Sequence, residues 1–298
     1  MRLGTTVGGE TLDEFVDRVK RAEADGFAFV SAPNIFGLDA VGALTIAGRE
    51  TERIELATGV VPTQPRHPTA LAQQALTAQA ACRGRFTLGI GLSHQVVIES
   101  MFGLSYAAPA KQMEEYLQVL VPLLQGKPAS HQGDLYRVNA GLQVPDGTPV
   151  PTLVAALGPR MLEVAGRLAD GTATWMTGRR TLADHIVPSI TRAAAAAGRP
   201  QPRIVAALPI AVTHDADAAR KVANEAFQMY GTLPSYRAML DRESAAGPGD
   251  VAIVGDEAAV RADLAELRDA GVTDFAAAPF PADEGAVART REFLLSEL

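Results

Sequence analysis

Ser93 and His94 follow directly on Phe86-Thr87-Leu88-Gly89-Ile90-Gly91-Leu92, an apolar run punctuated by two glycines. A histidine at the end of such a strand can hydrogen-bond a ligand or exchange a proton near neutral pH. A helix-capping or packed histidine suits the same position, and both readings stand. Upstream, Ile54 to Val61 reads as a strand interrupted at Thr58-Gly59. A glycine inside a strand marks a bulge or a close approach of backbone to a neighbour. Pro62, Pro65 and Pro68 then deny regular pairing and hold Arg66 and His67 in a rigid turn. Further on, Gly158-Pro159-Arg160-Met161 joins a strand to a helix. The free N–H groups and dipole of a helix start suit a phosphate, and Arg160 adds charge. An ordinary strand-to-helix turn has the same composition.

Other chemistries fail on their own residues. Gly89-Ile90-Gly91-Leu92-Ser93-His94 begins like a dinucleotide fingerprint but has His94 where the third glycine belongs. Gly91-Leu92-Ser93-His94-Gln95 resembles a nucleophile elbow, yet Gln95 replaces the second glycine that the strained turn needs. A serine hydrolase built on Ser93 is therefore the outsider. There is no phosphate-cradling Walker loop, no HExxH pair and no acidic metal-ligand cluster. The single cysteine, Cys82, excludes an internal disulfide framework and a cysteine zinc site.

The elements that must position these residues alternate. Strands are expected over 2–7, 27–31, 54–61, 86–92, 151–157, 172–176, 203–212 and 274–279, and most are followed by a helix. The first helix starts at Thr11, with Glu14 three residues on as a capping box. Others are expected over 39–50, 69–81, 111–124, 182–197, 215–230 and 257–270; Gly158-Pro159-Arg160-Met161 opens one that runs to Ala169, and 284–298 closes the chain. Residues 126–150, rich in glycine and proline, break the rhythm and read as an excursion, a small hairpin. The stretch 231–250 reads as mobile. Eight strands alternating with helices in 298 residues fit a (β/α)8 TIM barrel better than an open doubly wound sheet. On that reading residues 1–298 are one barrel, and the polar residues at strand ends share its mouth, where ligands bind.

Bulk properties narrow the partners. A net charge of −7 argues against nucleic acid or an anionic membrane as the main partner. Met1 leads straight into a strand, and no run of about 18 apolar residues could span a bilayer; a cytoplasmic location is the expectation. A small-molecule substrate is the expected partner. Phe36, Met101, Phe102, Tyr230, Tyr236 and Phe280 make an apolar pocket above the site plausible, and Trp175-Met176 adds a wall or packs in the core.

Taken in order, several runs resemble the bacterial luciferase-like monooxygenase family, most closely its branch that uses the deazaflavin coenzyme F420. They are Thr58-Gly59-Val60-Val61-Pro62 with Arg66-His67-Pro68, Gly84-Arg85-Phe86, and Leu88-Gly89-Ile90-Gly91 to Ser93-His94. Ala156-Leu157-Gly158-Pro159-Arg160-Met161, Leu168-Ala169-Asp170-Gly171 and Trp175-Met176-Thr177-Gly178 also match, as do His131-Gln132-Gly133 and Val254-Gly255-Asp256. The ordered set, rather than any one run, carries the resemblance. It implies a (β/α)8 barrel with an inserted segment, usually a homodimer, holding its cofactor at the carboxyl ends of the strands. It implies a cis peptide at Gly59-Val60 supporting the ring, within the bulge that includes Thr58. The cofactor phosphate would lie on backbone N–H groups across Leu157, Gly158, Pro159, Arg160 and Met161. Ser93 and His94 would lie near the ring and ribityl chain, and Asn34 on the substrate side or against the ring. The implied activity is hydride transfer between F420 and a small organic substrate, with His94 first and Asn34 second for a catalytic role. Two alternatives share these features: an FMN-dependent monooxygenase fed by a separate reductase, and a catalytically silent flavin-binding barrel.

Overall fold

The computed structural model describes residues 1–298. Its strands in chain order are β1 Arg2–Thr6, β2 Phe29–Ala32, β3 Glu55–Thr58, β4 Val61–Pro62, β5 Phe86–Gly91, β6 Ala129–Gln132, β7 Arg137–Ala140, β8 Thr152–Val154, β9 Gly171–Trp175, β10 Arg203–Val212, β11 Ile253–Gly255 and β12 Asp274–Pro279. Eight of them pair in parallel in the order β1-β2-β3-β5-β8-β9-β10-β12, and β12 returns to β1. β10 pairs with β12 on one side and β9 on the other, which joins the two ends of the path, so the sheet is closed and has no free edge around the barrel. The expected TIM barrel is the fold, and β10 and β12 have the bounds expected from sequence.

Burial explains why these segments form the sheet. Every residue of β5 is buried, as an apolar run covered on both faces requires. The outer helices turn one apolar stripe inward: Phe15, Val19 and Ala22 are the buried residues of Leu12–Asp25. Thr11 caps that helix by accepting the Glu14 N–H at 3.2 Å, while the Glu14 carboxylate reaches back to the Glu10 N–H at 3.1 Å. Helix Ala40–Arg49 lies against helix Pro68–Ala81, with Gly48 packed on the Cys82 sulfur, where no larger residue would fit.

The amino-terminal end of the barrel is closed by ions. Arg2, Glu55, Arg203 and Asp274 are each the first residue of their strand. Arg203 meets Asp274 at 2.9 and 3.1 Å and also pairs with Glu55. Arg2 pairs with Asp274 and reaches Glu55 at 2.8 Å. The Phe29 ring lies 5.7 and 5.6 Å from the guanidinium carbons of Arg2 and Arg203, so the cluster rests on an aromatic floor. Polar groups at this end serve stability.

Differences from the sequence expectation have local causes. The third strand divides into β3 and β4, because residues 59 and 60 leave the ladder at the bulge. The 126–150 excursion contains the expected antiparallel hairpin, β6 with β7. The Glu115 carboxylate pins it to helix Pro109–Leu124, accepting the N–H groups of Leu135 at 2.9 Å and Tyr136 at 3.0 Å. The helix expected over 215–230 stops at Ala226, and a short one follows at Gln228–Thr232. The segment read as mobile holds the helix Pro234–Glu243, started by a proline at its first position. β11, absent from the expectation, adds to the far half of β10, where the barrel strand runs past its neighbours.

Candidate active site

The barrel opens at the carboxyl side of its strands onto one cavity of about 1090 Å3. Thr6, Ser31, Gly91, Trp175 and Pro279 border it from their strands, and Ala155 borders it just past β8. Its depth comes from small side chains: Ala173 and Ala207 leave empty the upper layer that a larger residue would fill. The floor below is the packed group Phe29, Leu153, Val205 and Ala276.

On one wall the chain leaves β3 through a bulge. The peptide between Gly59 and Val60 is cis, as the resemblance implied, and both residues line the cavity. Thr58 does not line it. Its hydroxyl is buried, donating to the Gly89 carbonyl at 2.8 Å and accepting the Gly89 N–H at 2.8 Å. The bulge thereby lies flat on β5, which explains the two glycines there. A Cβ on Gly89 would collide with the Thr58 carbonyl, and one on Gly91 would lie 2.7 Å from Val60 Cγ2. The glycine pattern that resembled a dinucleotide fingerprint is thus an accommodation of the bulge.

Ser93 and His94 leave the end of β5, with Ser93 in the left-handed region at φ 57°. The Tyr106 hydroxyl donates to the Ser93 carbonyl at 3.3 Å, and the phenol of Tyr106 also borders the cavity. The His94 ring is half-buried on the cavity wall, 5.7 Å from the ring of Tyr236. Burial lowers its pKa below the ordinary histidine value, so the imidazole is neutral near pH 7. Asn34 lines the cavity too. Its Oδ1 accepts the Ala40 N–H at 3.0 Å, which ties the loop after β2 to the next helix and leaves its amide N–H2 as the group for a ligand.

After β8, the strand next to β5, helix Pro159–Leu168 starts at Gly158 without any side-chain cap. Leu157, Gly158 and Met161 border the cavity, whereas Pro159 and the exposed Arg160 do not. The free N–H groups of this first turn and the open space at Gly158 form a cradle for an anion. His185 supports the turn from behind: it is buried, and its Nε2 lies 2.8 Å from the Leu157 carbonyl. From sequence it had no role; its placement by a π-helical turn at Leu182–Ile186 left no signal. His67 caps helix Pro68–Ala81, accepting the Thr69 N–H at Nδ1, and is structural.

The upper wall is aromatic. Trp175 meets Phe227 and Tyr230 edge to face, both at 5.8 Å, and Tyr230 meets Tyr236 at 5.2 Å. Of the expected apolar residues, Phe36, Phe102, Tyr230 and Tyr236 line the cavity. Met101 points to solvent, Phe280 is buried behind Phe227, and Met176 is core. Burial raises the pKa of both Tyr230 and Tyr236, so each phenol is a neutral hydrogen-bonding group.

This set of features fits a planar, anion-bearing cofactor: a wall at the bulge, a polar pair beside it, and an uncapped helix start after the neighbouring strand. The chain is 31% identical to an F420-dependent glucose-6-phosphate dehydrogenase of Beutenbergia cavernae, across 64% of this chain and 57% of that protein. It is 32% identical to a 5,10-methylenetetrahydromethanopterin reductase of Archaeoglobus fulgidus, across 51% of this chain and 46% of that protein. The chain spans less than two thirds of the length of these relatives, and 65% of a Mycobacterium bovis protein that it also matches. In three dimensions it superposes on the coenzyme F420-dependent tetrahydromethanopterin reductase of Methanopyrus kandleri with a TM-score of 0.84, at 21% identity, covering 100% of this chain and 98% of that one. No helix is long and apolar enough to cross a membrane. Residues 1–274 match the luciferase-like monooxygenase family, and the chain belongs to that family.

Proposed function

We propose that this protein is an oxidoreductase that transfers a hydride between coenzyme F420 and a small organic substrate. The observation that carries the reading is that one cavity joins two surfaces at the ends of neighbouring strands: the Gly59-Val60 bulge with Ser93 and His94, and the uncapped turn Leu157 to Met161. F420-dependent relatives by sequence support it. When bound, the deazaflavin supplies a carbon centre that carries hydride and reacts poorly with oxygen.

The chain's own residues bind, orient and handle a proton. Gly59 and Val60 form a wall that presses one face of the ring toward the substrate, which is positioning catalysis. Backbone N–H groups of Gly158, Arg160 and Met161 hold the phosphate. Neutral His94 is placed to take the proton that a substrate hydroxyl gives up, or to return it to a carbonyl oxygen in the reverse direction. The Asn34 amide donates to the ring edge or the substrate. The apolar upper wall excludes water from the reacting atoms.

Parallel fluorescence titration of the cofactor-free protein with F420 and with FMN tests the reading. Saturation by F420, with FMN at least tenfold weaker, is expected. Preference for FMN would overturn it in favour of a flavin monooxygenase with a separate reductase. Tight F420 binding with no turnover of any alcohol or carbonyl compound would leave a silent binding barrel.

A further inference from the structure

Beside the neutral His94, the cavity has two charged side chains, Arg66 and Asp39, and they are bonded to each other at 2.6 Å. The backbone of Arg66 is fixed. Pro65 precedes it, its carbonyl accepts the buried Tyr116 hydroxyl at 3.0 Å, and its N–H donates to the Thr63 carbonyl. The Asp39 side chain that holds the Arg66 guanidinium is itself fixed, because its second oxygen caps helix Ala40–Arg49 through the Gly42 N–H at 2.8 Å. The one cation that an anionic substrate could use is therefore already neutralised.

The remaining walls point the same way. Ile35, Phe36, Val96 and Met229 border the opening with at least 60% of their surface exposed. Above the barrel lie Trp175, Tyr230 and Tyr236. Large apolar side chains held open to solvent around a cavity mark a surface that gains by covering an apolar ligand.

We propose that the substrate at this site is an uncharged, mainly apolar molecule with a hydrogen-bonding oxygen, and that Asp39 enforces the choice by occupying Arg66. The position of the substrate, above the ring and under the aromatic wall, rests on the cofactor reading given above. The oxygen is met by neutral groups, His94 and the Tyr236 hydroxyl. A phosphorylated sugar, the substrate named for one relative, would have to leave its charge unpaired among apolar side chains, which is costly.

Trp175 is the single tryptophan and lies on the cavity wall, so its emission reports occupancy. The protein is titrated with cyclohexanone and with glucose 6-phosphate, free and after loading with F420. Wild type is expected to give a saturable response to cyclohexanone and none to glucose 6-phosphate over the same range. Asp39→Asn, which retains a helix-capping side chain while freeing Arg66, is expected to lower the half-saturating concentration of glucose 6-phosphate at least tenfold and leave that of cyclohexanone within twofold. Asp39→Ser serves as a second capping variant with the same expected outcome. Saturation of wild type by glucose 6-phosphate at or below the cyclohexanone concentration would overturn the substrate class. Unchanged sugar-phosphate response in both variants would overturn the role of Asp39. Failure of F420 to bind is seen separately in cofactor fluorescence and removes the proposed function; the ligand preference of the free protein then upholds or overturns the class by the same criterion.

Discussion

Gly91→Ala tests whether the bulge is a wall whose position matters. The added methyl would lie 2.7 Å from Val60 Cγ2 and 3.1 Å from Ala155 Cβ, where carbon atoms rest at about 3.5 to 4.0 Å. Val60 must therefore retreat by about 1 Å, and with β5 behind it the free direction is into the cavity. Overpacking of this kind costs about 1 to 3 kcal/mol, and replacing a strand glycine returns about 0.5 to 1 kcal/mol. The net loss is at most about 2.5 kcal/mol and centres on about 1 kcal/mol. With an unfolding entropy of about 2.1 cal/mol/K per residue, this lowers Tm by about 2 °C, and by at most about 4 °C. Cofactor affinity should fall more, by about tenfold or about 1.4 kcal/mol, because the displaced side chain enters the space that the ring is to occupy. Thermal unfolding of the cofactor-free protein and F420 titration measure the two effects. A variant with a lowered Tm and unchanged F420 affinity would refute the placement of the ring against Val60.

Three further outcomes are expected. Glu55→Gln removes a carboxylate from the ionic floor and should cost about 3 kcal/mol, or about 5 °C in Tm. Although burial alone would raise the Glu55 pKa, the Arg203 charge and the Thr87 hydrogen bond hold it below 4.5; its stabilisation is thus full above that pH and lost as pH falls through the depressed value, so acid unfolding of the variant should show a shallower loss. His94→Asn should lower turnover by about 100-fold or more; since burial places the His94 pKa below 6.5, the wild-type acid limb should fall below that pH, and a limb above it would contradict the neutral imidazole. The Cys82 thiol, fully buried and pushed up to about 11 by burial, should resist an aromatic disulfide reagent at pH 8 until the protein is unfolded; rapid labelling of the native protein would mean that the helices around it open readily.

The residues forming the barrel were legible because their signals are local. Continuous apolar runs such as Phe86 to Gly91 announce buried parallel strands, and Thr11, Gly26 and Pro68 mark helix ends by backbone requirements that hold in any context. Position at a strand end brought Asn34, Ser93 and His94 to one cavity without any knowledge of which strands pair. The Gly59-Val60 bulge and the Gly158 turn were visible as composition, and the family resemblance supplied their roles.

What only the tertiary structure decided was which partner each side chain meets. Thr58 was expected against the cofactor, yet its hydroxyl is used by Gly89, a residue 31 positions away. Arg66, read as part of a rigid proline turn, is held by Asp39, 27 positions earlier. Arg160 belongs to the right turn but points away from the cavity, since one step along a helix turns a side chain by about 100°. His185 reached the Leu157 carbonyl through a π-helical turn, and helix Pro234–Glu243 delivered Tyr236 beside His94. Periodicity and capping act over a few residues and can be read along the chain. Contacts across a closed barrel depend on register and on the path of each loop, which no short stretch of sequence contains.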